Sequence, residues 1–214
     1  LSFCYKAKEF ALIGIIDYGA GNLRSVLNAF ESLNLKARLA VRGEELGKFD
    51  KIILPGVGAF GEAMQKLKDR DFIPAIKEAV AGGKPFLGIC LGMQLLFEQS
   101  EEFGVNEGLG LVKGRVVKFD PSKFDAPLKV PHTGWNTINF TKQTPINKDL
   151  AASEYLYFVH SYHVVCDDDV ALGFSEYGYK FVSAVHKDNI FGFQPHPEKS
   201  HETGLKILRN FGEM

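Results

Sequence analysis

The sequence contains little cysteine, almost no net charge and no long apolar run. Its three cysteines, Cys4, Cys90 and Cys166, are too few and too widely spaced for a secreted disulfide framework or a paired zinc site. We therefore expect a reducing, cytoplasmic location and no metal ion. The formal net charge of -1 argues against nucleic acid as a partner. No run approaches the roughly 18 to 20 apolar residues of a membrane span, so no membrane association is expected.

A chain of 214 residues with 45% hydrophobic residues can build one substantial core. It contains no internal repeat, low-complexity tract or linker, so residues 11–214 are predicted to form a single domain. Residues 1–10 mix charged and apolar side chains without the pattern of a cleaved signal. They are expected to be a leader or tag that is poorly ordered.

The first half of the chain alternates short apolar runs with segments of helical periodicity. Helices are predicted over residues 23–33, through Met64 and Leu67, and over residues 73–80 and 91–98, with Asn22 as the N-cap of the first. Strands are predicted over residues 11–16, 36–41, 51–55 and 86–89. Apolar strands joined by helices form parallel sheets that are covered on both faces.

The second half is richer in β-structure. Strands are predicted over residues 111–119, 135–140, 155–162, 181–186 and 190–194, with turns at residues 120–122 and 167–169. A last amphipathic segment around Leu205 and Phe211 predicts a closing helix. The whole pattern indicates one α/β domain.

The strongest chemical signal is Gly88-Ile89-Cys90-Leu91-Gly92, which lies between a buried strand and a helix. A nucleophile on such a sharp turn projects clear of the sheet, and small glycines leave room for the strained backbone. The following helix N-terminus would favour the thiolate, and the N–H of Leu91 could donate to an oxyanion. The alternative is an ordinary core cysteine, which this flanking pattern disfavours.

A thiolate nucleophile needs a proton shuttle, and residues 194–198 contain one. If this segment is extended, His196 and Glu198 project to the same side, so that Glu198 orients one imidazole nitrogen while the other faces Cys90. Alone, His-Pro-Glu is more typical of a surface loop. Together with the cysteine turn it predicts a Cys-His-Glu triad.

Other motifs carry less weight. Residues 56–61 fit the G-x-G-x-x-G dinucleotide fingerprint, but the acid about 20 positions on, Glu78, falls in a helical pattern instead of at a strand end. His160, His163 and His186 make no metal template and are interpreted as structural. His132 remains ambiguous, and core packing is the simplest explanation of Trp135.

Three of these segments resemble the class I, triad-type glutamine amidotransferases. Residues 88–94 resemble the nucleophile segment of the family, residues 196–198 its His-Pro-Glu, and residues 55–58 its oxyanion strand. The similarity runs from about Ile13 to the last helix. Within this family, residues 17–22, 55–61, 131–136 and 157–162 resemble the branch that forms the glutaminase subunits of imidazole glycerol phosphate synthases in histidine biosynthesis.

The resemblance implies a flavodoxin-like, Rossmann-like three-layer sandwich with a mainly parallel central sheet and extra antiparallel β segments in the second half. It implies an enzyme without a cofactor that hydrolyses glutamine and passes the ammonia to a (β/α)8 cyclase subunit in a heterodimer. Ammonia free in neutral water is mostly ammonium, which is not nucleophilic, so direct transfer to a docked partner would preserve it.

The resemblance also implies roles for individual residues. Cys90 would attack the carboxamide carbon and form a glutamyl thioester, His196 would protonate the ammonia and activate water, and Glu198 would orient His196. The remaining positions fall into three groups: backbone donors to the oxyanion at Val57, Gly58 and Leu91; substrate contacts at Gly56, Gln94, Ser161 and Tyr162; and a partner face with Asn22, Trp135, Tyr157 and Lys199.

One position departs from the family. Pro195 stands where an N–H-bearing residue is usual, so a backbone donor is lost, although the proline biases Gln194 toward the extended approach that the motif needs. Two rival functions are an amidotransferase coupled to no cyclase and a non-catalytic α/β binding module. The segment around Trp135 argues against the first, and retention of all three triad residues argues against the second.

Overall fold

The computed structural model of the chain describes residues 11–19 and 21–214; the leader predicted for residues 1–10 lies outside the described residues. The helices are α1 (Leu23–Ser32), α2 (Phe60–Asp69), α3 (Phe72–Ala81), α4 (Leu91–Gln94) and α5 (His201–Glu213). The strands are β1 (Ile13–Ile16), β2 (Ala37–Ala40), β3 (Lys51–Gly56), β4 (Phe86–Cys90), β5 (Gln99–Ser100), β6 (Asn106–Glu107), β7 (Arg115–Lys118), β8 (His132–Phe140), β9 (Ser153–His160), β10 (Tyr162–Val165), β11 (Ala171–Glu176), β12 (Lys180–Lys187) and β13 (Ile190–Phe193).

Five strands form the parallel half of one sheet, in the order β2-β1-β3-β4-β13. This is the strand order of flavodoxin-like folds, in which ligands bind beyond the carboxyl ends of the strands. The carboxyl ends of β3 and β4 meet directly, because Gly56 is paired with Cys90. The predicted parallel sheet is therefore confirmed, and it gathers the carboxyl ends of β3, β4 and β13 at one edge.

Helices cover both faces of the parallel strands because the strands inside the sheet carry buried apolar side chains on both sides. Ile13, Ile15 and Ile53 pack on one face with α1 and α5. Ile52 and Leu54 project to the opposite face, where they pack with α2 and α3. The alternation of side chains along each strand thus builds the three layers that the sequence predicts.

The second half of the chain extends the sheet with mostly antiparallel pairs. Beyond β13 the order continues β12-β10-β7-β5-β6. Strand β11 also pairs with β12; its other neighbour is β8, which in turn pairs with β9. The predicted strand over residues 155–162 is two strands, since the chain bends at Ser161. There it passes from pairing with β8 to pairing with β7 and β12. Strand β11 is a further element that the sequence analysis did not predict.

The helix after Cys90 is shorter than predicted. It was expected over residues 91–98 but ends at Gln94. The backbone N–H groups that would continue the helix bond elsewhere: those of Leu96 and Phe97 donate to the carbonyls three residues back, and that of Glu98 donates to the carbonyl of Gly114. An α-helix continues only where each N–H donates to the carbonyl four residues back.

The N-cap prediction for Asn22 is wrong in its chemistry. Asn22 occupies the N-cap position of α1, but its side chain makes no capping hydrogen bond. Its backbone, at φ -90° and ψ 60°, lies outside the extended geometry that aims a capping side chain at the helix N–H groups. The Asn22 amide is therefore not committed to the helix.

Candidate active site

Cys90 lies on the turn between β4 and α4, at the carboxyl end of the parallel sheet. Its backbone has φ 55° and ψ -113°, outside the regions that residues with a Cβ commonly adopt. The thiol is mostly buried and lies 3.9 Å from the carbonyl oxygen of Val159, to which it donates. A side chain on such a strained turn is lifted away from the sheet, as the sequence predicts for a nucleophile.

The two glycines around this turn are required by space. A Cβ at Gly88 would lie 2.6 Å from the carbonyl oxygen of Gly92, and a Cβ at Gly92 would overlap the carbonyl oxygen of Leu54 in β3. Neither obstacle is a flexible side chain, so neither can move aside cheaply. The turn can therefore form only with glycine at both positions.

His196 and Glu198 contact each other directly, at 2.8 Å between Nδ1 and Oε1. The expected reason for this contact is wrong. The segment is not extended throughout: His196 caps a short 3-10 helix, Pro197–Lys199, and Glu198 reaches back from its first turn. Both side chains are only 2% exposed, so solvent does not compete for the pair.

The imidazole of His196 lies between Glu198 and Cys90. Burial lowers the pKa of His196, but the neighbouring Cys90 sulfur and Glu198 carboxylate outweigh burial and hold that pKa above its usual value. Within the described part of the chain, the Nε2 atom is buried and makes no hydrogen bond. Cys90 thus acts on His196 as a close electrostatic neighbour, without a formed hydrogen bond. A raised pKa keeps this imidazole protonated at neutral pH and able to donate a proton.

A cavity of about 300 Å³ opens beside Cys90. It brings together the predicted oxyanion residues with most of the predicted substrate contacts. Its wall is formed by Val57, Gly58, Cys90, Leu91, Gln94, Glu102, Val159, His160, Ser161 and Tyr162. Gly58 has φ 100°, a conformation that glycine adopts at little cost.

Gly56 is the one predicted substrate contact that is not part of this wall. A Cβ at Gly56 would lie 2.7 Å from the hydroxyl of Tyr18 and 2.9 Å from the Cβ of Leu91. Glycine is needed at position 56 because Tyr18 and Leu91 pack closely against its backbone. Tyr18 was not singled out from the sequence; burial, and then the nearby Cys90, raise the pKa of its hydroxyl.

Gln94 is held in one orientation by two acceptors. Its Nε2 atom donates to the carbonyl oxygen of Tyr162 and to Oε1 of Gln194, each over 3.0 Å. Both hydrogens of this amide are thereby used, so Oε1 of Gln94 is the atom that can accept a hydrogen bond from a ligand.

Glu102 and His160 are wall residues that the sequence analysis missed as site residues. Among the described residues of the wall, Glu102 is the only acidic one, and its Oε2 accepts from the N–H of Phe60 at the start of α2, over 2.7 Å. The wall thus contains one carboxylate and one amide oxygen that can accept hydrogen bonds from a ligand. No spacing rule in the sequence links Glu102 to Cys90.

Pro195 fits this site because the chain is anchored on both sides of it. The N–H of Gln194 donates to the carbonyl oxygen of Ser183, and the N–H of His196 donates to that of Tyr157, each over 2.9 Å. Pro195 itself is buried. His196 is therefore held in place by β9 and β12 even though Pro195 has no backbone N–H to donate.

The predicted partner residues Trp135 and Tyr157 form an aromatic surface on β8 and β9. They are directly paired across the two strands, and their rings meet edge to face at 6.1 Å. Trp135 is 47% exposed and stacks on His201 at 5.1 Å. Its interpretation as a core residue is therefore wrong. Lys199 is exposed on the 3-10 helix that carries Glu198.

Residues 11–19 and 21–214 contain no group of three or more His, Cys, Asp or Glu side chains arranged to hold a metal ion. No helix in that part of the chain is long and apolar enough to cross a membrane.

Comparison with known proteins identifies the family. The family model described as "Glutamine amidotransferase class-I" matches residues 14–214. The imidazole glycerol phosphate synthase subunit HisH of Sulfurimonas denitrificans is 59% identical over 201 residues, covering 94% of this chain and 97% of the relative. The subunit of the same name from Methanocaldococcus jannaschii is 49% identical over 203 residues, covering 95% of this chain and 100% of the relative.

Solved structures agree on the fold. PurLQS from Thermotoga maritima superposes with a TM-score of 0.75 at 22% identity, covering 94% of this chain and 97% of that one. A glutamine amidotransferase from the same organism gives a TM-score of 0.63 at 16% identity, covering 91% and 79%. With a matching family model over nearly the whole described length and relatives near 50–60% identity, this chain belongs to the class-I glutamine amidotransferase family.

Proposed function

We propose that this chain is the glutaminase subunit of an imidazole glycerol phosphate synthase, working in histidine biosynthesis in the cytoplasm beside a (β/α)8 cyclase subunit, and that residues 11–214 are one amidotransferase domain. The observation that carries the catalytic part is the strained Cys90 turn at a cavity, next to a buried His196–Glu198 pair. High identity to HisH subunits over nearly their full length supports the subunit assignment.

The reaction begins with glutamine in the cavity beside Cys90. Its α-ammonium group binds at Glu102 and at Oε1 of Gln94, and the backbone of Ser161 and Tyr162 holds the same end. This places the carboxamide toward Cys90. The Cys90 thiolate attacks the carboxamide carbon, and backbone N–H groups near Val57, Gly58 and Leu91 stabilise the oxyanion that forms.

His196 then acts twice. As an imidazolium it gives its Nε2 proton to the departing ammonia, and the C–N bond breaks to leave a glutamyl thioester on Cys90. As neutral imidazole it takes a proton from water, which attacks the thioester and releases glutamate. Glu198 holds Nδ1 through the 2.8 Å contact and keeps Nε2 turned to the reacting atoms.

The proposal is tested by measuring glutamate release by this chain. The chain is assayed alone and again after mixing with the cyclase subunit and its nucleotide ligand. We expect weak release by the chain alone and a clear increase in the rate of release in the liganded complex. Cys90→Ala should abolish release, whereas Cys166→Ala, at a half-buried cysteine away from the cavity wall, should retain it. Full activity of Cys90→Ala in the complex would refute the catalytic assignment. Unchanged activity on mixing would refute the subunit assignment.

A further inference from the structure

Gln194 contacts the sulfur of Cys90. It follows β13 directly, its side chain is completely buried, and its Nε2 atom lies 3.7 Å from Cys90 Sγ. The two residues are 104 positions apart in sequence and meet because β13 and β4 are neighbouring parallel strands. The sequence analysis gave Gln194 no role.

The orientation of the Gln194 amide follows from its other contact. Nitrogen and oxygen of an amide have nearly the same shape, so the hydrogen-bond network must assign them. Gln94 faces the carbonyl oxygen of Tyr162, which only accepts, so the Gln94 atom there is the nitrogen Nε2. The same nitrogen faces Gln194 at 3.0 Å, so the Gln194 atom in that contact is the oxygen. The nitrogen of Gln194 is therefore the atom turned to the sulfur.

We propose that Gln194 is a catalytic residue of this site, whose side-chain N–H donates a hydrogen bond to Cys90 Sγ and stabilises the thiolate that attacks glutamine. The proposal rests on the proposed function, in which Cys90 is the nucleophile. A hydrogen bond to a charged acceptor is stronger than one to a neutral acceptor. The contact therefore favours the thiolate over the thiol, and it also remains in place while the charge leaves sulfur during attack.

The structure gives this contact a specific task. Helix α4 is a single turn of four residues, so the dipole expected from a helix over residues 91–98 is largely absent. His196 is a close electrostatic neighbour of the sulfur but forms no hydrogen bond to it, and the carbonyl oxygen of Val159 accepts from a thiol and disfavours a thiolate. Gln194 is the side chain that supplies a fixed N–H dipole, and Gln94 holds it in place.

The test measures the reactivity of the sulfur itself. Cys90 is alkylated with iodoacetamide between about pH 5 and about pH 10, and the product is mapped by peptide mass spectrometry to separate it from Cys4 and Cys166. Gln194→Met keeps the length of the side chain without the donor, and Gln194→Glu replaces the donor by a carboxylate. Gln99→Glu, on an exposed strand residue, is the control for the added charge.

In Gln194→Met the midpoint of the alkylation profile should rise by about 0.5 to 1 pH unit, and alkylation at pH values below the wild-type midpoint should slow by about three- to tenfold. Gln194→Glu should raise the midpoint of the alkylation profile further, and the midpoint of Gln99→Glu should equal that of the wild type. A folded Gln194→Met variant with an unshifted midpoint overturns the proposal.

If neither Gln194 variant folds, NMR of the wild-type protein provides the answer. The side-chain amide protons of Gln194 should titrate with the midpoint of Cys90 alkylation, and their invariance across that range overturns the proposal. These measurements do not depend on glutamine hydrolysis. An active Cys90→Ala variant would refute the proposed function, whereas an unshifted alkylation profile would refute only the role of Gln194.

Discussion

Two buried histidines should make the fold sensitive to mild acid. His132 Nδ1 and His160 Nε2 lie 3.0 Å apart, and the side chains are buried. His160 Nδ1 must carry the proton, because it faces the carbonyl oxygen of Tyr162 at 2.8 Å. His160 Nε2 then accepts from His132, and His132 Nε2 accepts from Asn136 at 3.3 Å. This directed chain requires both imidazoles to be neutral.

The size of the effect follows from the pKa values. Burial lowers the pKa of His132 to about 4 and that of His160 to about 3, from 6.5. Below pH 6.5 the unfolded chain binds protons that the folded chain excludes, so the free energy of unfolding falls as pH drops toward these values. Between about pH 7.5 and about pH 5 each histidine accounts for a loss of about 2 kcal/mol, and the pair for about 4 kcal/mol.

Urea unfolding at these two pH values, for wild type and His132→Gln, measures this contribution. Glutamine can still donate to His160 but does not titrate, so the loss on acidification should be about 2 kcal/mol smaller in the variant. All other titrating groups contribute equally to both proteins and cancel in the difference. Phe158→Leu is the control, because Phe158 stacks on His132 at 4.9 Å and carries no proton. It should lower stability similarly at both pH values. An acid-induced loss in His132→Gln within about 0.5 kcal/mol of wild type would refute the reasoning.

Two further predictions concern the turn and the support of His196. Gly92→Ala should destabilise the fold by about 3 kcal/mol or more in urea unfolding, since its Cβ overlaps the carbonyl of Leu54; Gly47→Ala, with open space around its Cβ position, should stay within about 1 kcal/mol of wild type. Ser200→Ala should lower kcat of glutamate release by about tenfold with little change in KM, because Ser200 Oγ donates to the His196 carbonyl over 2.6 Å; Ser200→Thr should restore it, and equal kcat for alanine and wild type would contradict this role.

The cysteine turn could be predicted from the sequence because its residues are adjacent, although the obstacle that requires glycine at position 92 is the carbonyl of Leu54 in β3. Gly88 and Gly92 sit within two residues of Cys90, and their backbone environment is largely that of a strand turning into a helix. The His196–Glu198 contact was also predicted, since two residues of spacing allow it in more than one conformation. The backbone that produces the contact was wrong, because a 3-10 turn and an extended segment both bring the two side chains together.

The remaining site residues could not be found this way. Gln94 and Gln194 are 100 residues apart and meet because β4, which leads into α4, pairs with β13. The early end of α4 also depends on a distant segment, since the N–H of Glu98 donates to the carbonyl of Gly114 and not to that of Gln94. Hydrophobic periodicity measures which side of a segment is buried, and residues 95–97 are buried on every side here. It therefore carries no signal for a hydrogen-bond competition between distant segments.

Strand β9 connects the aromatic surface to the catalytic turn through one residue. The Tyr157 side chain packs on Trp135 at that surface. Its backbone carbonyl accepts from the N–H of His196 over 2.9 Å, and its backbone N–H donates to Ser200 Oγ over 2.9 Å. Ser200 in turn bonds to the carbonyl of His196. His196 is thus held by its own N–H and C=O to a strand whose other face lies at the proposed partner surface. A shift of β9 on docking would reach His196 through these hydrogen bonds, and it would reach the Cys90 thiol through the carbonyl of Val159, which also lies on β9.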